Sequence, residues 1–181
     1  MRELVLVSGG FDPIHSGHIY LIQEASKFGE VVVLLNSDEW LKNKKGKEFL
    51  PYKEREIIMK SLKNVVDVLS FDDSDKTCIN GLKKALKKYP NCKIKFANGG
   101  DRNDKTTPEK EFCYQNNIKT IWGVGGKNKS NVSKNLQAKG MKRLLLENAQ
   151  KNNTQSVTSS WSTLQSSRSF LQAVQSQVKA A

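Results

Sequence analysis

The chain has two histidines, His15 and His18, and both lie in the stretch GGFDPIHSGHIYLI at residues 9–22. Their three-residue spacing brings both rings to one face of a helix. The glycine pair before them and the apolar run after them read as a strand-to-helix turn, with the histidines in the first helical turn. Unpaired N–H groups and the helix dipole favour a phosphate at such a terminus. Two imidazoles there can donate hydrogen bonds to a phosphoryl oxygen as its charge grows, with no covalent intermediate. Taken alone, H-x-x-H also suits two surface histidines or part of a zinc site. Zinc is disfavoured because the chain offers no third histidine and no C-x-x-C pair.

Three further segments carry chemistry-bearing residues. WLKNKKGKE, residues 40–48, is a basic loop holding Lys42, Lys44, Lys45 and Lys47. NGGDR ends a strand: Asp101 could accept from a ribose or base and Arg102 could grip a phosphate bidentately, or the turn could use Gly and Asp for backbone reasons alone. GVGGKNKSNVS supplies Lys127, Lys129, Ser130 and Ser133, with Ser130 equally suited to cap a helix. Asp72, Asp73 and Asp75 lack an EF-hand spacing and precede a helix, so capping and dipole compensation explain them.

Alternating strands and helices must position these loops. Strands are expected at Glu3–Val7, Val31–Leu35, Val65–Phe71, Ile94–Ala97 and Lys119–Trp122. Helices are expected from Gly17 to Phe28, from Pro51 to about Asn64, from about Asp75 to Tyr89, and from Thr107 as cap with Pro108 first to about Asn116. A further helix begins near Ser130. Five alternations predict an α/β fold with a doubly wound, parallel, five-stranded sheet, Rossmann-like, in the order 3-2-1-4-5. Ligands then bind beyond the carboxyl ends of the strands, where the first and fourth loops face each other. Residues 1–148 form this domain. Residues 149–181 read as a Ser/Gln-rich linker and an amphipathic C-terminal helix carrying Val157, Trp161, Leu164, Leu171, Val174 and Val178.

Composition narrows the class. At 181 residues and 37% hydrophobic content a globular domain is expected. The N-terminus has no signal-peptide layout and no apolar run is long enough to span a membrane, so a cytoplasmic protein without a membrane partner is expected. Cys78, Cys92 and Cys113 fit buried thiols in a reducing compartment. The net charge of +12 admits a nucleic acid or a polyphosphate partner. The lysines are spread over several loops and helices with few interleaved aromatics, which argues against nucleic acid.

GGFDPIHSGHIYLI resembles the G-x-F-D-x-x-H-x-G-H element of the nucleotidylyltransferase superfamily, in its cytidylyltransferase-like branch, which includes glycerol-3-phosphate cytidylyltransferases and heptose-1-phosphate adenylyltransferases. VVVLLNSDEW, KNKKGKEFLPYKER and NGGDR resemble the branch's second strand end, lysine loop with following helix, and G-G-D turn, and the likeness covers residues 3–136. The resemblance implies transfer of a nucleoside monophosphate from a nucleoside triphosphate to a small phosphorylated substrate, with release of pyrophosphate. It implies that His15 and His18 hold the triphosphate, that Gly9, Gly10, Phe11, Asp12 and Gly17 shape the nucleotide site, and that Asp12 positions Mg2+. Lys47 is implied in catalysis and Lys44 in binding the substrate phosphate, with Lys45 able to substitute and Arg55 beside them. Asp101, Arg102, Lys129 and Ser130 complete the nucleotide site. The family's R-T-x-G-x-S-x-T segment has no counterpart arginine in GVGGKNKSNVS. CTP is narrowly favoured through the D-E-W run; N-S-D, Lys45-Gly46 and G-G-D lean to the ATP-dependent heptose-phosphate type. A basic nucleic-acid-binding module and a non-catalytic nucleotide-binding subunit are the alternatives. A homodimer is expected from the resemblance alone.

Overall fold

A computed structural model describes residues 1–100 and 107–125. Strands β1 (Glu3–Gly9), β2 (Glu30–Leu35), β3 (Val65–Ser70), β4 (Lys93–Gly99) and β5 (Lys119–Val124) form one parallel sheet in the order β3-β2-β1-β4-β5. Helices α1 (Ser16–Ala25), α2 (Asp38–Lys45), α3 (Tyr52–Lys60), α4 (Ile79–Lys88) and α5 (Lys110–Gln115) connect them. The expected strand order is the observed one.

The apolar strands are explained by burial on both faces. Along β1, Val5 and Val7 point into a layer with Ile22 and Ala25 of α1 and Met59 of α3. Leu4 and Leu6 point the other way, against Leu82 and Ala85 of α4 and Cys113 of α5. Period-two alternation thus feeds two cores from one strand. All of Val31 to Leu35 in β2 is inaccessible to solvent. On α4 the lysines face outward, yet Lys84 donates to the Ser70 carbonyl at 2.7 Å and Lys88 pairs with Asp67 at 2.6 Å.

Several boundaries differ from expectation. The basic loop is largely a helix, α2, because Ser37 caps it by accepting from the Trp40 N–H at 3.0 Å and Lys42, Lys44 and Lys45 fall in its last turn, where the dipole favours cations. Helix α1 stops at Ala25 and continues as a 3-10 turn, Ser26–Phe28. Helix α3 ends at Lys60, not Asn64, and α4 starts at Ile79 because residues 72–77 are tied in turns. Helix α5 starts at Lys110 with Glu109 at its cap position, so Thr107 and Pro108 precede it. The helix near Ser130 and the 149–181 extension lie outside the described residues. Among the described residues, no helix is long and apolar enough to cross a membrane.

Candidate active site

The β1–α1 turn is built to present its two histidines. His15 is the N-cap of α1, in an extended conformation, and its Nδ1 accepts from the Gly17 N–H at 3.2 Å. A neutral imidazole that accepts at Nδ1 carries its proton on Nε2, so His15 presents an Nε2–H donor. His18 stacks on it, ring centroids 3.8 Å apart at 26°, and Phe11 meets His18 edge-on at 5.0 Å. A Cβ at position 17 would lie 3.1 Å from the His15 ring, so glycine keeps that ring in place. Phe11 is held at φ 47 with its ring buried, a left-handed conformation costly for a bulky residue and maintained by packing. The first turn of α1 has no acidic residue, so the helix itself carries no carboxylate to offset the positive end of its dipole.

Electrostatics keep this turn ready for an anion. Burial pushes His18 down to about 3, helped by the neighbouring His15 and Lys45. His15 is lowered by burial and then by Lys45. Both rings are therefore neutral donors near neutral pH. The Lys45 ammonium is itself lowered, chiefly by burial, against the pull of Asp12.

The loop after α2 closes over this turn. Lys45 Nζ donates to the Asp12 carbonyl. Asp12 is buried, and its carboxylate accepts from the Phe49 and Leu50 N–H groups at 2.7 and 2.8 Å. These bonds make Asp12 the clamp of the 49–50 segment. Among the described residues no group of three or more His, Cys, Asp or Glu could hold a metal ion. Mg2+ is ordinarily bound through one or two carboxylates plus substrate phosphates, so it needs no such cluster.

Arg55 also departs from expectation. Its side chain is fully buried, and it donates to the Leu50 carbonyl (3.0 Å), the Gly10 carbonyl (2.8 Å), the Asn36 carbonyl (2.9 Å) and Asp38 Oδ1 (2.6 Å). Four of its N–H groups are spent on tying the ends of β1 and β2 to α2 and α3, so it is a buttress of the site instead of a phosphate ligand. Asp38 accepts in addition from the Tyr52 N–H at 3.0 Å; burial raises its carboxyl, and the Tyr52 and Arg55 hydrogen bonds more than offset this and leave it lowered. Gly10 is required by close approach: a Cβ there would sit 2.6 Å from Leu41 of α2.

The structure thus gathers Gly9, Gly10, Phe11, Asp12, His15, Gly17, His18 and Lys45 in one place. Lys44 lies over the Trp40 ring at 4.2 Å, and Lys47 is exposed on the turn after α2. Asp101, Arg102, Lys129 and Ser130 lie outside the described residues, as do Lys127 and Ser133.

Asp73, expected to serve capping and dipole compensation for α4, instead reaches across to Asn36 and Ser37 at the end of β2, while α4 has no side-chain cap and no acidic residue in its first turn. Sequence reasoning missed a second group. At the end of β4, Asn98 is 2% exposed and follows Ile94 and Phe96 on the α4–α5 face. Both atoms of its amide lack a hydrogen-bond partner, as do Thr107 Oγ1 and Glu109 Oε2, both on buried residues. Glu109 Oε1 accepts from the Cys78 N–H at 2.9 Å. The pairing of Asp73 with residues 36 and 37 positions earlier left no local signal; an asparagine in an otherwise apolar strand end was a readable one.

A family model described as cytidylyltransferase-like matches residues 6–148. The chain is 31% identical over 140 residues to the bifunctional protein HldE of Aliarcobacter butzleri, covering 75% of this chain and 27% of that protein. It is 32% identical over 71 residues to the FAD synthase of Ferroglobus placidus, covering 39% of this chain and 47% of that one. The chain thus spans about a quarter to a half of the length of these two relatives. Among solved structures, the lipopolysaccharide core biosynthesis protein of Thermoplasma volcanium superposes with a TM-score of 0.53 at 23% identity, over 67% of this chain and 96% of that chain, a likeness of fold.

Proposed function

The chain belongs to the cytidylyltransferase-like family, and we propose that it transfers a nucleoside monophosphate from a nucleoside triphosphate to a small phosphorylated compound. An oxygen of the acceptor phosphate attacks the α-phosphorus. The bond from that phosphorus to the bridging oxygen breaks, and pyrophosphate leaves with the electron pair. The observation that carries this reading is the stacked pair of neutral imidazoles at the N-terminus of α1, whose first turn holds no acidic residue, with an Nε2–H donor on His15. Such donors gain strength as negative charge builds on the phosphoryl oxygens. Lys45 offsets the repulsion between the two anions, and Lys44 and Lys47 lie on the same basic segment. Mg2+ bound with the triphosphate would supply charge neutralisation on its phosphates.

For the donor we propose ATP. A FAD synthase stands among the relatives, and N-S-D with Lys45-Gly46 supports the heptose-phosphate adenylyltransferase type. The D-E-W run that favours CTP has a local explanation: Asp38 holds Arg55 and Trp40 carries Lys44. CTP is the second reading. For the acceptor we propose a sugar or polyol phosphate. Asn98, at the end of β4 beside β1, carries an unpaired amide whose donor and acceptor suit a hydroxyl, which both gives and accepts.

The test is pyrophosphate release with the four triphosphates against phosphorylated sugars, polyols and amino alcohols. ATP with a sugar or polyol phosphate is the expected active pair. Triphosphate binding without release in any combination would make the chain a binding module instead.

A further inference from the structure

Asp73 stands in the loop between β3 and α4, beside two aspartates that serve their own turns. Asp72 accepts from the Ser74 N–H at 3.0 Å, and Asp75 accepts from the Thr77 N–H and hydroxyl at 2.9 and 3.0 Å. Asp73 instead leaves its loop. It is 7% exposed, and its oxygens accept from Asn36 Nδ2 at 3.0 Å, the Ser37 N–H at 2.8 Å and the Ser37 hydroxyl at 2.7 Å. The same Ser37 oxygen caps α2, and α2 ends at Lys45, whose ammonium reaches the Asp12 carbonyl in the histidine turn. We propose that Asp73 is a positioning residue: by holding Ser37 it sets the angle at which α2 leaves the sheet, and so where Lys45 meets the His15–His18 turn.

The lever is long enough to matter. Eight residues at 1.5 Å each make α2 about 12 Å long. A tilt of about 5° at Ser37 therefore moves the far end by about 1 Å, a misplacement that can cost about a hundredfold in turnover. Arg55 still grips Asp38, and Leu41 still packs beneath Gly10, so the helix stays attached when Asp73 changes. What is lost is its angle.

The experiment compares Asp73→Asn, Lys45→Gln and the double variant. The first readout is the titration of the His15 ring, followed by NMR without substrate. His15 is faced by His18, by Lys45 and by the Gly17 N–H. Lys45→Gln removes a positive charge and raises the His15 midpoint. Asp73→Asn raises it in the same direction, and the double variant matches Lys45→Gln alone. The second readout is pyrophosphate release, which rests on the function proposed above: Asp73→Asn lowers kcat about ten- to a hundredfold, with no further loss in the Lys45→Gln background. A His15 titration unchanged by Asp73→Asn, or effects that add in full, would overturn the proposal. Absence of turnover in the wild type defeats the functional reading alone, and the NMR arm still decides the positioning. Should Asp73→Asn fail to fold, Ser37→Ala, which removes the cap and one of the three bonds, is measured the same way and must move His15 upward.

Discussion

His15 does two jobs with one ring: it caps α1 through Nδ1 and, in consequence, offers Nε2–H outward. Removing a preorganised donor of this kind costs about 100- to 1,000-fold in kcat, so His15→Ala should abolish most pyrophosphate release while the lost cap costs only about 1 kcal/mol of stability. Steady-state kinetics beside thermal melts checks both halves; an active His15→Ala variant would reject the mechanism. Gly17→Ala separates fold from function in the opposite direction. Alanine is the better helix former by about 0.5–1 kcal/mol, yet its Cβ would press the His15 ring at 3.1 Å. The expected variant melts no lower than wild type and turns over more slowly. The histidine pair was legible in the sequence because its chemistry is local: spacing, glycines and the strand before it are all within ten residues. Asp12 and Arg55 were legible as motif positions, but their roles were not, since the partners of Asp12 lie 37 and 38 residues away and those of Arg55 are spread from 5 to 45 residues away in sequence.

At the scale of elements, the site depends on α2 and α3 being tied to the ends of β1 and β2. Arg55 is the knot. Replacing it by Met strands the Gly10 and Asn36 carbonyls and leaves Asp38 without its cation. A loss of about 3–5 kcal/mol is expected, as for breaking a buried ion pair. Arg55→Lys should rescue little, because one ammonium cannot span carbonyls on three segments and Asp38 together. Denaturant unfolding measures this. Equal stability of Arg55→Lys and wild type would mean that the charge, and not the fork of donors, holds the knot. The elements themselves were readable from hydrophobic period, and the sheet order followed from alternation. Helix α2 was not read from sequence because its composition is polar and cationic, and what makes it helical is a serine cap and a dipole term, both small and both overridden in many loops.

For the whole molecule, the neutral His18 links stability to pH. Its folded value, about 3, lies below the ordinary 6.5 of an unfolded chain. Between these values the unfolded state binds more protons, so stability from this group is full above about pH 6.5 and is lost as pH falls toward 3. Thermal melts from pH 7.5 to 4.5 should therefore fall more steeply for wild type than for His18→Asn. Parallel curves would mean that His18 is not held neutral by the fold. Sequence alone determined the architecture, because period-two and helical repeats are properties of short windows, and each buried face demands a partner layer. It also determined where the histidine turn lies, because a helix N-terminus after a glycine turn is a local object. Only the tertiary structure decided that the Lys45 ammonium reaches the histidine turn, that Asp12 and Arg55 hold backbone, and that Asp73 leaves its own loop to hold Asn36 and Ser37. For Asp12 and Asp73 the assignment depends on which strand ends lie side by side, and a hydrogen bond between residues dozens of positions apart leaves no mark on the chain until the sheet has brought them within 3 Å.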